Sequence, residues 1–467
     1  MNNFIKTVNY LRKNGIRNTC YAMKERIEEE RRNDYYYKEP SEETLQAQRR
    51  ESASYSDLFS IVVPAYETDE RFLREMIDSV CRQSYEKWEL IIVDAGSSSS
   101  VEKTVRQIRE EKGVGCIKYT RLEENRGIAD NTNAGIVQAS GDYIALLDHD
   151  DFLAPDALYY MAEALHRARQ RGTEPVLLYT DEDKYDNNTR YVSPHIKAEF
   201  NLDLILSNNY ICHFMAVKEK LMKKLQLRKV FDGAQDYDLV LCVISQLCRL
   251  MPIQQLQERV IHIPKVLYHW RCHTDSTADN TASKTYAYEA GKAALEDFCA
   301  GQGWKVEVEH SLHLGFYDIV YQPDVLTVRQ DIGIVGGRIL DARNRICAGA
   351  MDGDGNCMYM GLHKEYSGGS THRAALKQDV AAVDIRCMQV RPELWEEFKH
   401  ITGLTYAERT IQYKTGHDSR QIKIADVSGL SCDEAGYRKL SMELGRAAAK
   451  LGYLVLWDPQ ITISMKG

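Results

Sequence analysis

Residues 59–96 read FSIVVPAYETDERFLREMIDSVCRQSYEKWELIIVDAG, and three textures follow one another in them. Phe59 to Val63 is a continuous apolar, β-branched run that stops at Pro64, as expected for a strand of a sheet covered on both faces. Residues 69–85 switch to helical spacing, with Phe72, Met76, Ile77 and Val80 on one face. Trp88 to Asp94 is a second buried run with a small polar exit. Strand, helix, strand is a βαβ unit, and its strands lie parallel. Ligands of such sheets gather where the strands end.

The alternation continues outward. VEKTVRQIREEKG (101–113) reads as a helix, CIKYTRLEENRG (116–127) as a strand and turn, and IADNTNAGIVQAS (128–140) as a helix. YIALLDHDDFLAPDAL (143–158) is an apolar strand that stops at Asp148, Asp150 and Asp151. Carboxylates this close repel one another unless a cation or a ligand sits among them. Tyr66, Glu67, Asp94 and Asp148 to Asp151 therefore all fall at strand exits. Strands and helices still alternate through PVLLYTDEDKYDNNTRYVSP (175–194), NNYICHFMAVKEKLMKKL (208–225), FDGAQDYDLVLCVIS (231–245) and HIPKVLYHWRCHTDSTA (262–278). YAYEAGKAALEDFCAGQG (286–303) closes the unit as a helix with Gly301 and Gly303 as its stop. No G-x-G-x-x-G follows the first strand and no G-x-x-x-x-G-K-[ST] occurs, so dinucleotide-binding and P-loop readings are excluded.

The whole chain of 467 residues has room for two or three domains. It is 44% hydrophobic and 27% charged, with a net charge of −8, which gives nucleic-acid binding no support. Its 12 Cys contain no C-x-x-C pair and read as reduced, mostly buried thiols of a cytosolic protein. MNNFIKTVNYLRKNG has no apolar signal core, and no run of about 18 apolar residues appears. The expectation is a cytoplasmic protein, with peripheral contact on the inner face of the membrane left open. Residues 1–57 are expected to form a helical arm, with Phe4, Val8 and Leu11 at helical spacing and Gly15 as a C-cap. That arm reads either as solvated or as a surface helix touching a membrane or a partner.

Four of these stretches together carry a family resemblance: residues 59–99, NRGIADNTNAGIVQASGDYIALLDHDD, GAQDYDL and IPKVLYHWRCHTDSTA. In this order and spacing, residues 58–300 resemble glycosyltransferase family 2, and within it the bacterial rhamnosyltransferase-like, O-antigen and cell-wall polysaccharide branch. The resemblance implies a GT-A fold, a Rossmann-like, mostly parallel sheet with helices on both faces. It implies inverting transfer of a sugar, rhamnose among the options, from a dTDP- or UDP-linked donor to a saccharide acceptor that is lipid-linked. Pro64, Tyr66 and Glu67 would line the base pocket, with Tyr66 stacked on the base. Asp94 would accept from the imide N–H of uracil or thymine; where the family often has a second acid, this chain has Ala95. Arg126 would lie by the nucleotide or form a surface ion pair. Asp148 would sit against ribose or metal, and Asp150 would ligate Mg²⁺ or Mn²⁺. Asp151 is either part of this group or a cap for the helix near Pro155. Asp236 would be the general base for inversion, while Asp238 reads as a helix-start residue. Arg271, His273 and Ser276 would donate to the diphosphate. His149, His262 and His269 read as structural, and Trp270 as either acceptor border or core.

Residues 301–467 pose a separate question. IGIVGGRILDARNRICAGAM (332–351), VAAVDIRCMQVRPELWEEF (380–398) and SMELGRAAAKLGYLVLWDPQITIS (441–464) repeat the pattern of the back half of the first unit. No equivalent of VVPAY, IIVDAG or LLDHDD occurs there, and Ser441 stands where the first unit has Asp236. This half reads as a degenerate, non-catalytic transferase-like module. DGDGNC (352–357) reads as a Gly–Asp turn, because it lacks the distal Glu of a calcium loop. A nucleotidyltransferase is disfavoured because PAYETDER has no glycine. A sugar-nucleotide-binding scaffold subunit is the alternative to an enzyme.

Overall fold

The computed structural model describes residues 3–32, 35–186, 190–272, 285–415 and 418–465. Helices α1 (Asn3–Arg32) and α2 (Glu42–Ser52) precede β1 (Phe59–Ala65), α3 (Glu70–Cys81), β2 (Trp88–Asp94), α4 (Ser100–Lys112), β3 (Ile117–Arg121), α5 (Ile128–Gln138) and β4 (Tyr143–Leu146). Then follow β5 (Phe152–Leu153), α6 (Ala157–Gln170), β6 (Leu177–Tyr185), β7 (Tyr191–His195), α7 (Leu202–Ile205), β8 (Met215–Lys218), α8 (Glu219–Leu225), α9 (Gln235–Cys248), β9 (Val260–Arg271) and α10 (Thr285–Gly301). The nine strands form one sheet in the order β3-β2-β1-β4-β8-β6-β9-β5, with β7 beside β6.

The apolar runs dictate this arrangement. Alternate side chains of β1 and β2 enter two different cores. Ile61, Val63, Leu90 and Ile92 meet Leu73, Met76, Ile77 and Val80 of α3, while Val62, Ile91 and Val93 meet Ala129 and Ile136 of α5. Burying four such side chains stabilises α3 by ~6–12 kcal/mol before chain entropy. Its cap, Asp69 accepting from Arg71 N at 2.8 Å, contributes about 1 kcal/mol. Packing therefore decides this helix. Leu73, not Phe72, is the buried residue of the first turn. Gly135 lets α5 lie close to the sheet, since a Cβ there would come within 2.5 Å of Val62.

The hairpin β10 (Val306–His310) and β11 (Tyr317–Tyr321) buries Val308, Tyr317, Ile319 and Tyr321 in the core of the first unit. The first unit thus runs past the expected boundary at residue 300. Beyond it come α11 (Val325–Val328), β12 (Ile332–Leu340), β13 (Ile346–Ala348), β14 (Ala350–Met351), β15 (Gln378–Asp379), β16 (Ala382–Val383), β17 (Met388–Val390), α12 (Trp395–Thr402), β18 (Glu408–Thr415), β19 (Asp418–Ala425), α13 (Glu434–Lys450) and β20 (Leu454–Ser464). β12 pairs antiparallel with β13 and β17 and parallel with β20. That is the pairing plan of β6, which is antiparallel to β7 and β8 and parallel to β9.

A buried cluster joins the two units. Arg329, with no exposed surface, donates to both carboxylate oxygens of Asp203 at 3.0 and 3.2 Å and lies over Trp304 at 4.4 Å. Asn201 donates to Asp379 O at 2.8 Å and accepts from Asp379 N at 3.0 Å. The N-terminal arm is not merely solvated. Leu45 and Tyr55 are buried, Tyr35 donates to Asp183 at 2.7 Å, and α1 kinks at Gly15 and lies against the second unit. All 12 Cys are free; only Cys299 and Cys387 are buried, so the expectation of mostly buried thiols fails. No described helix is long and apolar enough to cross a membrane.

Candidate active site

β1, β2 and β4 are parallel and in register, so their C-terminal ends emerge at one edge. Ala65 lies opposite Asp94, and Val62 opposite Leu146. The loops that leave this edge carry the candidate residues.

Asp94 is fully buried. It accepts from Gly96 N at 2.8 Å and from the Tyr119 hydroxyl, on the neighbouring β3, at 2.8 Å. Gly96 is required here, since a Cβ would sit 3.0 Å from the Asp94 carboxylate and 3.3 Å from Glu67 N. Glu67 accepts from both the amide and the hydroxyl of Ser97 at 2.7 Å, and these bonds lower its pKa. Arg121 closes the loop from outside by donating to the carbonyls of Gly96, Ser97 and Ser98. Tyr66 is 52% exposed at the mouth, beside Pro64. Tyr119 and Arg121 were not foreseen. Their spacing of two places both on one face of β3, but only the strand order sets that face beside Asp94.

The acids of 148–151 divide into two roles. Asp151 is buried and accepts from Tyr268 Oη at 2.5 Å and Arg271 N at 2.7 Å, which ties the turn to β9. Burial, then Asp150 and Asp148, push its carboxyl well above the usual range. It is thus neither a helix cap nor an open ligand; Asp156 holds the position before α6. Asp148 keeps 40% of its side chain exposed and lies 3.7 Å from His213 Nε2. His149 Nδ1 is buried without a hydrogen-bond partner.

Arg271 departs from the expectation. It is 3% exposed, donates to Asp150 O at 2.7 Å, pairs with Glu75 at 2.5 Å and lies over Phe72 at 4.6 Å. It is a strut of the acid turn rather than an open diphosphate donor. Its planar fork suits this, since one side chain meets a carbonyl, a carboxylate and ring faces. His273 and Ser276 lie outside the described residues. Arg126 pairs with Glu124 at 2.9 Å and is 61% exposed, so the surface ion pair is the arrangement found.

Three acids flank the start of α9, and their partners separate them. Asp232 accepts from Ala129 N at 3.2 Å and so caps α5. Asp238 is buried against Arg228, at 2.9 Å from Nε, rather than merely opening the helix. Asp236 instead faces Asp148 and His213. Burial, then the Asp148 charge, against the pull of His213, bring its carboxyl up to about 6. His213, another residue not foreseen, stacks on Tyr268 at 4.9 Å. Burial opposes its cation, yet Cys212, Asp148 and Asp236 raise its pKa well above the usual imidazole value. Trp270 borders it edge-on at 6.4 Å. His262 and His269 are structural, bonded to Asp181 at 2.8 Å and Asp183 at 2.6 Å.

Among the described residues, no group of three or more His, Cys, Asp or Glu side chains is placed to enclose a metal. Asp148 and Asp150 are hard oxygen donors suited to Mg²⁺ or Mn²⁺, and the orphaned His149 Nδ1 leaves a polar contact beside them. These two acids are the residues that would hold such a cation.

The sequence model of Glycosyl transferase family 2 matches residues 60–226. An uncharacterized protein, y4gI, of Sinorhizobium fredii is 37% identical over 246 residues, 52% of this chain and 25% of its own. The O-antigen biosynthesis protein RfbC of Myxococcus xanthus is 31% identical over 273 residues, 58% of this chain and 20% of its own. The chain thus spans a quarter or less of the length of these curated relatives. The crystal structure of S. aureus TarS 1–349 aligns with a TM-score of 0.38 at 17% identity, over 52% of this chain and 65% of that one. The parallel strands, the acid turn and the strand exits all lie inside or beside the segment of residues 60–226 that matches glycosyl transferase family 2, and the nine-stranded sheet has the mixed, mostly parallel arrangement of a GT-A fold.

Proposed function

We propose that the first unit transfers a sugar from a nucleoside diphosphate to a saccharide acceptor with inversion. The observation that carries this reading is the placement of Asp236, a carboxylate brought to about 6, against Asp148 at the edge where Asp94 also emerges. A base of that pKa is largely ionised at neutral pH yet basic enough to take a proton from a hydroxyl as it attacks. Asp94, held by Gly96 N and Tyr119, presents its carboxylate to a pyrimidine imide N–H, and Tyr66 offers its exposed ring to the base. Asp148 and Asp150 would hold a divalent cation against the donor diphosphate, where it stabilises charge on the leaving group. Arg271 and Asp151 fix the turn that carries those two acids.

The likeness to an O-antigen biosynthesis protein supports bacterial surface polysaccharide as the product; a lipid-linked acceptor and rhamnose from a dTDP donor rest on the sequence resemblance alone. The second unit, with the pairing plan of the back half of the first and no equivalent of β1 to β4, is read as a degenerate module that packs rather than catalyses.

The test is a thermal-shift screen of UDP-, dTDP- and GDP-sugars with and without Mn²⁺, on wild type and Asp150→Ala. A ligand that binds only the folded chain raises its melting temperature by mass action. A metal-dependent shift with one nucleotide, absent in Asp150→Ala and accompanied by slow release of nucleoside diphosphate, supports the transferase and names its donor class. No shift with any nucleotide would favour a scaffold subunit.

A further inference from the structure

We infer that α1 is an interfacial helix that seats the protein on an anionic lipid surface. This stands apart from the transferase reading, because it uses none of the residues of the candidate site.

The helix has two faces of different character. Beyond the kink at Gly15, one face docks on the second unit. Glu25 accepts from Ser367 N, Gly368 N and Gly369 N at 2.7–3.0 Å, and Glu29 accepts from Ser370 N at 3.1 Å. Tyr21 stacks on His363 at 5.1 Å. At 3.6 residues per turn, the opposite face carries Ile16, Cys20, Met23 and Ile27 within about 60° of one another. These apolar side chains are not tucked against the protein: Ile16 is 74% exposed, Met23 49% and Ile27 47%. The docked face thus fixes the helix on the protein and turns the apolar stripe outward.

Charge decides what covers the stripe. Residues 1–24 contain Lys6, Arg12, Lys13, Arg17 and Lys24 and no Asp or Glu, in a chain whose net charge is −8. Farther along, Glu25 and Glu29 face the loop 367–370 and so are turned away from the stripe, while Glu28 and Glu30 at its end are outnumbered by Arg26, Arg31 and Arg32. Lys24 flanks the stripe on the side of Arg17, which is 70% exposed and paired with Glu365 at 3.0 Å, and Arg26 stands on the other side, so cationic side chains border the apolar ones as they do in a helix lying at the headgroup boundary. A protein partner or a second copy of this chain would have to supply an apolar groove with acidic rims matched to this one helix. A bilayer needs only the stripe and its cationic flanks.

The experiment is co-sedimentation of the full chain with phosphatidylcholine vesicles, with and without about 30 mol% phosphatidylglycerol. The full chain should sediment with the anionic vesicles, weakly with the neutral ones, and less at high salt. The triple variant Ile16→Ser, Met23→Ser, Ile27→Ser should lose on the order of tenfold in bound fraction. Its melting temperature and donor hydrolysis should match wild type, which separates loss of membrane binding from loss of fold and from failure of the transferase reading. Retention of binding by the triple variant, or equal binding to neutral vesicles, overturns the inference. So does a dimer in sedimentation equilibrium that the triple variant abolishes, since the stripe would then be a contact between copies.

Discussion

β6 and β12 are the central strands of two units with one pairing plan, and their outer halves differ completely. On β6 the residues past the bulge are Asp181, Glu182 and Asp183, all buried and each held by a partner: His262, Lys197 and His269. On β12 the corresponding stretch is Arg338, Ile339 and Leu340, with Ile339 and Leu340 in an apolar core. Burial alone would raise Glu182, but Lys197, His195 and His213 beside it bring it down to about 2. The same backbone plan thus supports a layer of buried, hydrogen-bonded acids beneath one edge and plain packing beneath the other. Buried pairs are costly to hold, and here they lie next to the residues that carry the proposed chemistry. The ladder itself fixes the fold; what stands on it is decided by the side chains.

The helices that follow sharpen the contrast. Asp236 is the second residue of α9, and His213 lies two residues before β8. Two residues before β17 stands Arg386, and it pairs at 2.6 and 2.7 Å with Glu434, the first residue of α13. Ser441, the sequence-derived counterpart of Asp236, is seven residues further in, where it accepts from Ile385 N at 2.9 Å and donates to Tyr437 O at 2.7 Å. The start of the helix, not the alignment of patterns, sets the equivalence. A partly exposed Arg–Glu pair occupies the place where the first unit keeps a half-buried carboxylate among an acid and an imidazole.

The largest effect should come from Asp236→Asn, which removes the proposed base. Transfer should fall by about 10²–10⁴-fold with the melting temperature unchanged. A rate within a few-fold of wild type would remove Asp236 from the mechanism and erase the distinction between the two helices. In the wild type, the rate should fall about tenfold per pH unit below about 6, because only the ionised form of Asp236 accepts a proton. A profile flat down to pH 5 would show that the carboxylate titrates lower or is not the base.

Next in size is Arg329→Leu at the junction. It leaves Asp203 and Asp331 without their partner and should cost about 3–5 kcal/mol in urea unfolding. The junction ties both units, so one cooperative transition should shift as a whole; a shift confined to one of two transitions would make the units independent. Tyr119→Phe removes one hydrogen bond to Asp94 and should weaken nucleotide binding by about fivefold, measured by titration calorimetry. Smallest of all, Glu434→Gln should leave transfer within about twofold of wild type, as expected for a partly exposed ion pair away from the chemistry. A large loss there would mean that the second unit takes part.

Much of the first unit was legible because its signals are local. Continuous apolar runs named the buried parallel strands, and the switch to helical spacing named α3 to α5. Asp94 and Asp148 could be singled out because each ends a strand, and Asp236 because GAQDYDL resembles a family motif. What was missed is of one kind. Tyr119, Arg121, His213 and Tyr268 act through neighbours that lie far away in sequence, and Arg271 looks like a free cation until Glu75 and Asp150 are brought against it. Asp151 differs from Asp148 only by burial, which no local pattern reports.

Sequence by itself therefore determined the order of strands and helices, the parallel front half of the sheet, the resemblance to a family and the set of acids at the strand exits. These follow from residue spacing, which acts over a few residues of backbone. Only the tertiary structure decided which acids are open and which are anchors, that the hairpin of residues 306–321 belongs to the first unit, and that α1 turns its apolar stripe outward. Those outcomes depend on burial and on partners scores to hundreds of residues apart, such as Glu25 with Gly368 or Asp203 with Arg329. A carboxylate's role is set by the dielectric and the charges around it, and that environment exists only once the chain has folded.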